Sequence, residues 1–563
     1  MVMEARKQKS LKQLLITVAV LLAVNFVGIY FFKRFDLTHD KRYTLSQTTL
    51  NIIEGINEPV YIDIFLEGQF PGEFKRLQDE TRQLLEEFKA RNSNIIFQFT
   101  NPLEDEKGGE QAMRELYGLG LTPVSVTVDD KGKQSQEVVF PWAIANFNNK
   151  TVKIPLLKNI MGASTAEKVV SSVQHLEYAF ADALNKVTKE KEKKVAIIKG
   201  NGEMHELLMG DFLKQVRESY FIAPYTLDSV AKNPIKTLEG LKKFDLAIIA
   251  KPTQAFTEEE KLVLDQFIVN GGKTLWMVDA VQIEMDSLYN QTGSTLAFPR
   301  NLNLSDMFFK YGIRINPDLV KDDQATPILL AAGNEGSDTQ YQQYPWRFSP
   351  FIYSDSDHPI VKNLDGIKFE FANPIDVLKN DIKKTVLLQS SERSKKIGTP
   401  VEVKLDMVTE KTTLRDYERK GLIPVSVLLE GKFHSMYENR ILPFKDSSFK
   451  TSGKEGKMIV ISDGDIVKNG LDQNHQPMEL GYDKWTNNLY DNKAFLMNCV
   501  NYLLDDTGLI NIRSKDVELP LLDKEKVYDN YRTAQFITIG LPIIILLVFG
   551  VLFTYLRKRK YSK

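Results

Sequence analysis

Four acidic side chains stand where short hydrophobic runs end. Glu203 follows Val195-Ala-Ile-Ile198, Asp279 follows Thr274 to Val278, and Asp463 with Asp465 follows Lys457 to Ser462. Short apolar runs bounded by turn residues predict buried strands. In an open α/β sheet the carboxyl ends of the strands form the edge where ligands bind. Carboxylates converging there could hold a cation or a small polar ligand. The same residue types also cap helices and close Asx turns, a role that needs no ligand. Both readings stand on the sequence, and capping asks for less.

Other chemistry fails on spacing. Gly271-Gly-Lys-Thr274 looks like half of a phosphate loop, but Phe267 occupies the position of the first glycine and the order is helix then strand. His205-Glu206 begins like a zinc-protease helix, yet Met209 stands where the second histidine belongs. His39, His175, His358, His434 and His475 are scattered. No serine or cysteine sits at a predicted strand-to-helix turn, as a nucleophile elbow requires. Cys499, the sole cysteine, lies in the apolar context AFLMNCVNYLL and predicts a packed thiol. No catalytic residue, metal set or cofactor is expected.

The elements that must position the acids alternate. Val60, Ile62, Ile64 and Leu66 have strand period. Phe74, Leu77, Thr81, Leu84, Leu85 and Phe88 recur at helical steps. Ile95 to Phe99 resumes as a strand, which makes a β-α-β unit. A further strand is predicted over Tyr117 to Val128, another over Glu137 to Phe140, and a closing helix over Ser164 to Val187. The order is like a thioredoxin-type fold without its Cys-x-x-Cys. After the charge run Lys189 to Lys194 a second α/β unit begins, with strands at 195–198, 244–250, 274–278 and 457–462. Thr257 and Glu260 form a capping box before a helix. This alternation predicts a doubly wound sheet. The stretch from about 281 to 456 is less regular, with a helix over Leu304 to Tyr311 and a strand near Ile313, and is read as an insertion.

Both ends are apolar. Leu11 to Phe32 is broken only by Lys12, Gln13, Thr17 and Asn25, and Ala534 to Leu556 carries no charge. About 20 such residues cross the hydrocarbon of a bilayer. The aromatic end Tyr30-Phe-Phe32, with no small-residue cleavage site after it, favours an uncleaved anchor over a signal peptide. Arg6, Lys7 and Lys9 before the first segment, and Arg557, Lys558, Arg559, Lys560 and Lys563 after the second, place both tails in the cytoplasm. With 73 basic and 74 acidic residues, no global field recruits nucleic acid.

The expected organisation is therefore a cytoplasmic tail over 1–10, a transmembrane helix over 11–33, a thioredoxin-like periplasmic domain over 34–190 and a doubly wound domain over 191–510. A membrane-proximal linker over 511–533, a second transmembrane helix over 534–556 and a cytoplasmic tail over 557–563 complete it.

The chain resembles the GldG family, the gliding-motility-associated ABC transporter auxiliary (substrate-binding-like) proteins of Bacteroidota. The residues that carry the resemblance are Arg42-Tyr-Thr-Leu-Ser46, Gly200-Asn-Gly-Glu203, Thr257-Glu-Glu-Glu260, Asn270-Gly-Gly-Lys273 and Ser462-Asp-Gly-Asp465. Relatives often carry histidine where this chain has Asn201, which argues against chemistry at that imidazole. The second unit is also similar to a domain of intraflagellar-transport proteins and to glutamine-amidotransferase-like folds, here without their cysteine. The resemblance implies an inner-membrane subunit that partners a multi-span permease and a cytoplasmic ATPase and supports gliding, extending to protein secretion. Two fixed anchors suit a permanent subunit better than a shuttling binding protein. Two alternatives stay open: a periplasmic receptor that takes a small ligand at Glu203, Asp279, Asp463 and Asp465, and a hydrolase with an unrecognised site.

Overall fold

The computed structural model describes residues 12, 14–26, 36, 44–68, 70–103, 109–130, 133–335, 338–354, 356–417, 421–515 and 524–561. The chain forms two compact units, Met1–Lys515 and Asp516–Lys563.

The first unit is a mixed α/β body built on two main sheets. The smaller contains β1 (Val60–Ile64) and β2 (Ile95–Phe99), which run parallel with Val60 opposite Ile95. Helix Gly72–Arg91 connects them and buries Phe74, Leu77, Leu84, Leu85 and Phe88, the face its periodicity predicts. The next stretch departs from the sequence reading. Tyr117 belongs to helix Gly109–Gly118, and Gly120, at φ +77°, turns the chain before the strand begins. The resulting β3 (Val124–Asp130) pairs with β4 (Lys133–Val139) as a hairpin outside the four-stranded sheet. That sheet is completed by β5 (Trp142–Phe147) and β6 (Lys150–Pro155), giving the order β2-β1-β5-β6. Sequence pattern missed β5 because Ala143, Ile144 and Ala145 are all buried, which removes the alternation a half-exposed strand would show. Helix Thr165–Thr188 starts with a capping box between Ser164 and Glu167 and packs against helix Gly72–Arg91. Its buried Glu177 accepts from Ser46 N at 2.7 Å, Thr49 Oγ1 at 2.8 Å and Lys515 Nζ at 2.7 Å.

The larger sheet has seven strands: β7 (Lys194–Lys199), β8 (Phe221–Thr226), β9 (Leu246–Ala250), β10 (Lys273–Met277), β11 (Lys383–Gln389), β12 (Pro424–His434) and β13 (Ser452–Ile461). Their order is β8-β7-β9-β10-β13-β12-β11. The first five are parallel, and β12 and β11 are added antiparallel at one edge. All five residues of β9 are buried, as a parallel strand covered on both faces requires. One face packs on helices Gly210–Ser219 and Asn492–Leu504 through Phe212, Phe495 and Cys499. The other packs on helices Pro234–Leu241 and Glu258–Val269 through Leu238, Leu262 and Phe267. Burying one such phenylalanine contributes about 1.5–3 kcal/mol. The capping box of Thr257 and Glu260 is present: Thr257 N donates to Glu260 Oε2 at 2.8 Å and Glu260 N to Thr257 Oγ1 at 3.2 Å. The irregular stretch after Asp279 folds into small antiparallel sheets around their own apolar cluster of Leu319, Trp346, Phe348, Phe371 and Val403. It also contributes β11 and β12 to the larger sheet.

Near the N-terminus the described residues Leu14–Phe26 form an apolar helix, by themselves fewer than a membrane crossing needs; 11, 13 and 27–33 of the expected first span lie outside the described residues. In the second unit Tyr531–Arg559 is helical over 29 residues, long and apolar enough to cross a membrane, with none of its hydrophobic stretch buried. One π-helical turn, Phe536–Gly540, interrupts it. Pro542 has no N–H to offer the turn before it, and a widened turn is how a helix absorbs that loss.

Candidate functional site

The carboxyl ends of β9, β10 and β13 lie side by side, so the residues just beyond them must meet. Beyond β9 is Lys251, whose N–H donates to Met277 O at 2.8 Å while its φ is +50°. Left-handed backbone at a residue with a Cβ costs about 1–3 kcal/mol and persists where the surroundings demand it. Here it delivers the ammonium into a nest of acids. Lys251 Nζ stands 2.5 Å from Asp465 Oδ2, 2.8 Å from Glu284 Oε2 and 3.8 Å from Asp279 Oδ2.

Asp279, beyond β10, accepts Gly464 N–H at Oδ1 over 2.5 Å; its Oδ2 is enclosed and receives no hydrogen bond. Asp463, beyond β13, accepts Asp465 N–H at 2.7 Å on one oxygen and Glu370 N–H at 2.7 Å on the other. Asp465 Oδ1 also lacks a hydrogen-bond donor, with Lys468 Nζ 3.7 Å away. Gly464 is required by close approach: a Cβ there would lie 2.6 Å from Lys251 Cγ and 2.8 Å from Asp279 Oδ2.

The electrostatics follow from burial. Enclosure, with the charge of Asp465 beside it, pushes the Asp279 carboxyl up to about 7. Burial together with Asp279 and Asp465 raises Asp463 well above the carboxylate range, despite its two backbone donors. Burial and Asp465 likewise raise Glu370. Burial pulls the Lys251 ammonium down, but Asp465, Asp279 and Glu284 outweigh it and hold it above its ordinary value. The oxygens of Asp279, Asp463 and Asp465 lie within 4.8 Å of one another, a spacing that lets them share one positive charge, and Lys251 supplies such a charge from within the chain.

Of the four acids picked from sequence, three are brought together and Glu203 is not one of them. Glu203 Oε2 accepts Asn201 N–H at 2.9 Å, locking the Gly200–Gly202 turn, and its Oε1 is enclosed without a partner. Asn201 in turn donates to Glu260 Oε2 at 2.9 Å, and its carbonyl accepts Thr253 N–H and Gln254 N–H at 2.9 Å each. These bonds tie together the loops after β7 and β9. That is the place where the strand order reverses and where open α/β sheets hold ligands. A Cβ on Gly202 would fall 2.2 Å from Thr253 Oγ1, so only glycine allows the closure.

Lys251, Glu284, Glu370 and Lys468 were not singled out from sequence. The one local signal was Lys251 itself, a lysine set directly between a fully apolar strand and Pro252. The glycines of Gly271-Gly-Lys-Thr274 serve packing: Gly271 turns the chain at φ +94°, and a Cβ on Gly272 would meet the Phe267 ring at 2.5 Å. Cys499 is buried and its thiol is pushed up by that burial, as befits a packing residue.

Comparison with known proteins supplies the context. An uncharacterized protein of Borreliella burgdorferi is 23% identical over 553 residues, 97% of each chain. Among solved structures, the "mmIFT52 N-terminal domain" is similar over 56% of this chain and 99% of that one, at 15% identity and a TM-score of 0.31, too low to carry an argument. A domain of unknown function matches residues 39–146. A family model described as "ABC-type uncharacterized transport system" matches residues 192–499, which take in the seven-stranded sheet and its acidic edge. That match covers more than half of the chain, and the protein belongs to this family of ABC transport auxiliary proteins.

Proposed function

We propose that the protein is a non-catalytic, membrane-anchored subunit of an ABC transporter, held by a transmembrane helix at each end with its body outside the cytoplasm. The observation that carries this reading is the state of the sheet edge. The acids there are closed on Lys251, and the loops after β7 and β9 are bonded to each other, so the usual catalytic position of an α/β sheet is filled by the chain itself. Family membership supports the transporter association. The basic residues at the end of the apolar helix, Arg557, Lys558 and Arg559, support a cytoplasmic C-terminus. Partners of this chemistry are a multi-span permease and its cytoplasmic ATPase. Copurification from native membranes should recover both; if the chain always extracts alone, the reading is wrong. The finer proposal, from the likeness to GldG, is a role in gliding and protein secretion, and deletion in a gliding host should abolish movement.

A second reading keeps Asp279, Asp463 and Asp465 as a cation-responsive site, because Asp279 Oδ2 and Asp465 Oδ1 lack hydrogen-bond donors. It requires that a divalent ion raise the melting midpoint of the native chain but not of Asp279→Asn. Equal response of both would end it.

A further inference from the structure

In the smaller sheet β1 and β2 are parallel, so the loops that follow them emerge at the same end. The chain passes these loops again as β4. A cavity of about 440 Å³ lies between, walled by Phe65, Phe70 and Leu103 from the loops and by Glu137, Val138 and Val139 from β4. Its surface can be reached: Val138 is 40% exposed, and Phe65, Phe70, Leu103 and Glu137 are half-buried.

The strand edge, the charge and the alternation of β4 define what would fill it. β3 takes one edge of β4 in an unbroken register, from Val124 opposite Val139 to Asp130 opposite Lys133. Among the described residues no strand takes the other edge, and no main-chain group of Lys133–Val139 bonds outside the hairpin. A strand edge without proline or bulge is a template for one more strand. No basic side chain lines the cavity. Of its two carboxylates, Glu67 is engaged by Gln78 Nε2 at 2.9 Å and by Arg82 at 3.2 Å. The Glu137 carboxylate has no partner among the described residues. Glu137 and Val138 are successive, so they stand on opposite faces of β4. A strand laid on this edge meets a carboxylate on one face and an apolar side chain on the other, and matching cross-strand pairs hold it.

We propose that β4 and this cavity bind an extended segment of a partner protein in which basic and apolar residues alternate, added as a strand to the free edge. Main-chain hydrogen bonds supply the pairing, Glu137 receives a lysine or arginine, and the apolar lining takes the apolar side chains. The choice of a peptide over a compact small ligand rests on the free edge. The choice of a basic peptide over an acidic one rests on the unpartnered carboxylate. This inference is independent of the transporter-subunit reading.

The test is fluorescence anisotropy of a labelled peptide of alternating lysine and valine, titrated with the full chain in a nonionic detergent, with detergent alone as blank. Wild type should bind saturably, and a lysine-glycine peptide of equal length should bind about tenfold more weakly. Glu137→Lys should weaken the lysine-valine peptide about fivefold and bind a glutamate-valine peptide more tightly than wild type does. N-methylation of alternate peptide nitrogens blocks one edge of the added strand at a time. One of the two methylated peptides should lose about tenfold or more in affinity, and the other should keep it. These peptides are read on wild type, so they decide the matter even if Glu137→Lys no longer melts cooperatively. Absence of saturable binding, displacement of the probe by valinamide or lysinamide, equal response to the two methylated peptides, or unchanged affinity in a folded Glu137→Lys overturns the proposal.

Discussion

Asp265 and Asp463 are both buried carboxylates on or beside the larger sheet, and the chain accommodates them in opposite ways. Asp265, on helix Glu258–Val269, is surrounded by neutral donors: Tyr311 OH at 2.8 Å and Met436 N–H at 2.8 Å on Oδ1, Ser435 Oγ at 2.6 Å and Gln266 Nε2 at 3.1 Å on Oδ2. Both of its oxygens are doubly satisfied. Asp463 has only two backbone donors and stands beside Asp279 and Asp465, which share the Lys251 ammonium and leave two carboxylate oxygens without a donor. The first arrangement offsets with neutral donors much, though not all, of the burial that raises the Asp265 carboxyl, and fixes the helix to the loop after β12. The second is under-solvated and depends on Lys251, so its stability is tied to proton uptake.

Removing the ammonium is the most severe way to break the second arrangement. Lys251→Met leaves buried acids uncompensated and should cost about 3–5 kcal/mol at pH 8, read by urea unfolding of the chain in amphipol. The sign with pH is definite. Asp279 has a folded pKa of about 7 against an ordinary 3.8, so the folded state binds the proton more tightly. Its contribution to stability is full below pH 4, falls as pH rises through about 7, and is flat above. The cost of Lys251→Met should therefore shrink toward pH 5, where Asp279 is protonated. Asp279→Asn should flatten the wild-type slope, which can reach about 1.4 kcal/mol per pH unit for one proton. A pH-independent cost for Lys251→Met would remove the distinction drawn between the two regions.

Asp265→Ala breaks the first arrangement. It strands the donors of Tyr311, Ser435 and Met436 in a dry site and should cost about 3 kcal/mol in the same unfolding assay. Because its donors are separate from the Lys251 nest, the double variant with Lys251→Met should add to within about 0.5 kcal/mol. A larger coupling would mean the two polar centres are one network. Gly464→Ala is a smaller probe of the nest alone. Its backbone, at φ −79°, accepts any residue, but the added methyl would crowd Lys251 Cγ and Asp279 Oδ2, at about 1–3 kcal/mol. Its melting midpoint should fall without a change in the pH slope.

The same contrast explains what the sequence made legible. Strand ends announce themselves by composition, so Asp279, Asp463 and Asp465 were found, and with them the parallel strands β7, β9, β10 and β13. Lys251 was not, because its role depends on a left-handed backbone and on Glu284, a residue of the irregular insertion whose course no periodicity reveals. Asp265 was passed over as one more polar residue of an amphipathic helix; its donors come from positions 311, 435 and 436, long-range contacts that single-chain pattern does not report. β8 was missed for a related reason: Phe221–Thr226 is an edge strand with an exposed Phe221, and it lacks the continuous apolar run of its neighbours.

Glu203 is the finest test, because sequence grouped it with the sheet-end acids and the fold does not. Burial raises its pKa, and Lys199 is the one charged group that pulls it back. If it served the acidic edge, losing its charge would move the pH profile set by Asp279. If it only locks its turn, Glu203→Gln keeps an oxygen to accept Asn201 N–H and relieves the enclosed, unpartnered Oε1 of its charge. The expected outcome is a change within about 0.5 kcal/mol of wild type, with the small gain, if any, appearing above the folded pKa of Glu203, where wild type must hold the carboxylate charged. The slope assigned to Asp279 should be untouched. A displaced slope would return Glu203 to the acidic edge and enlarge the region that Lys251 has to balance.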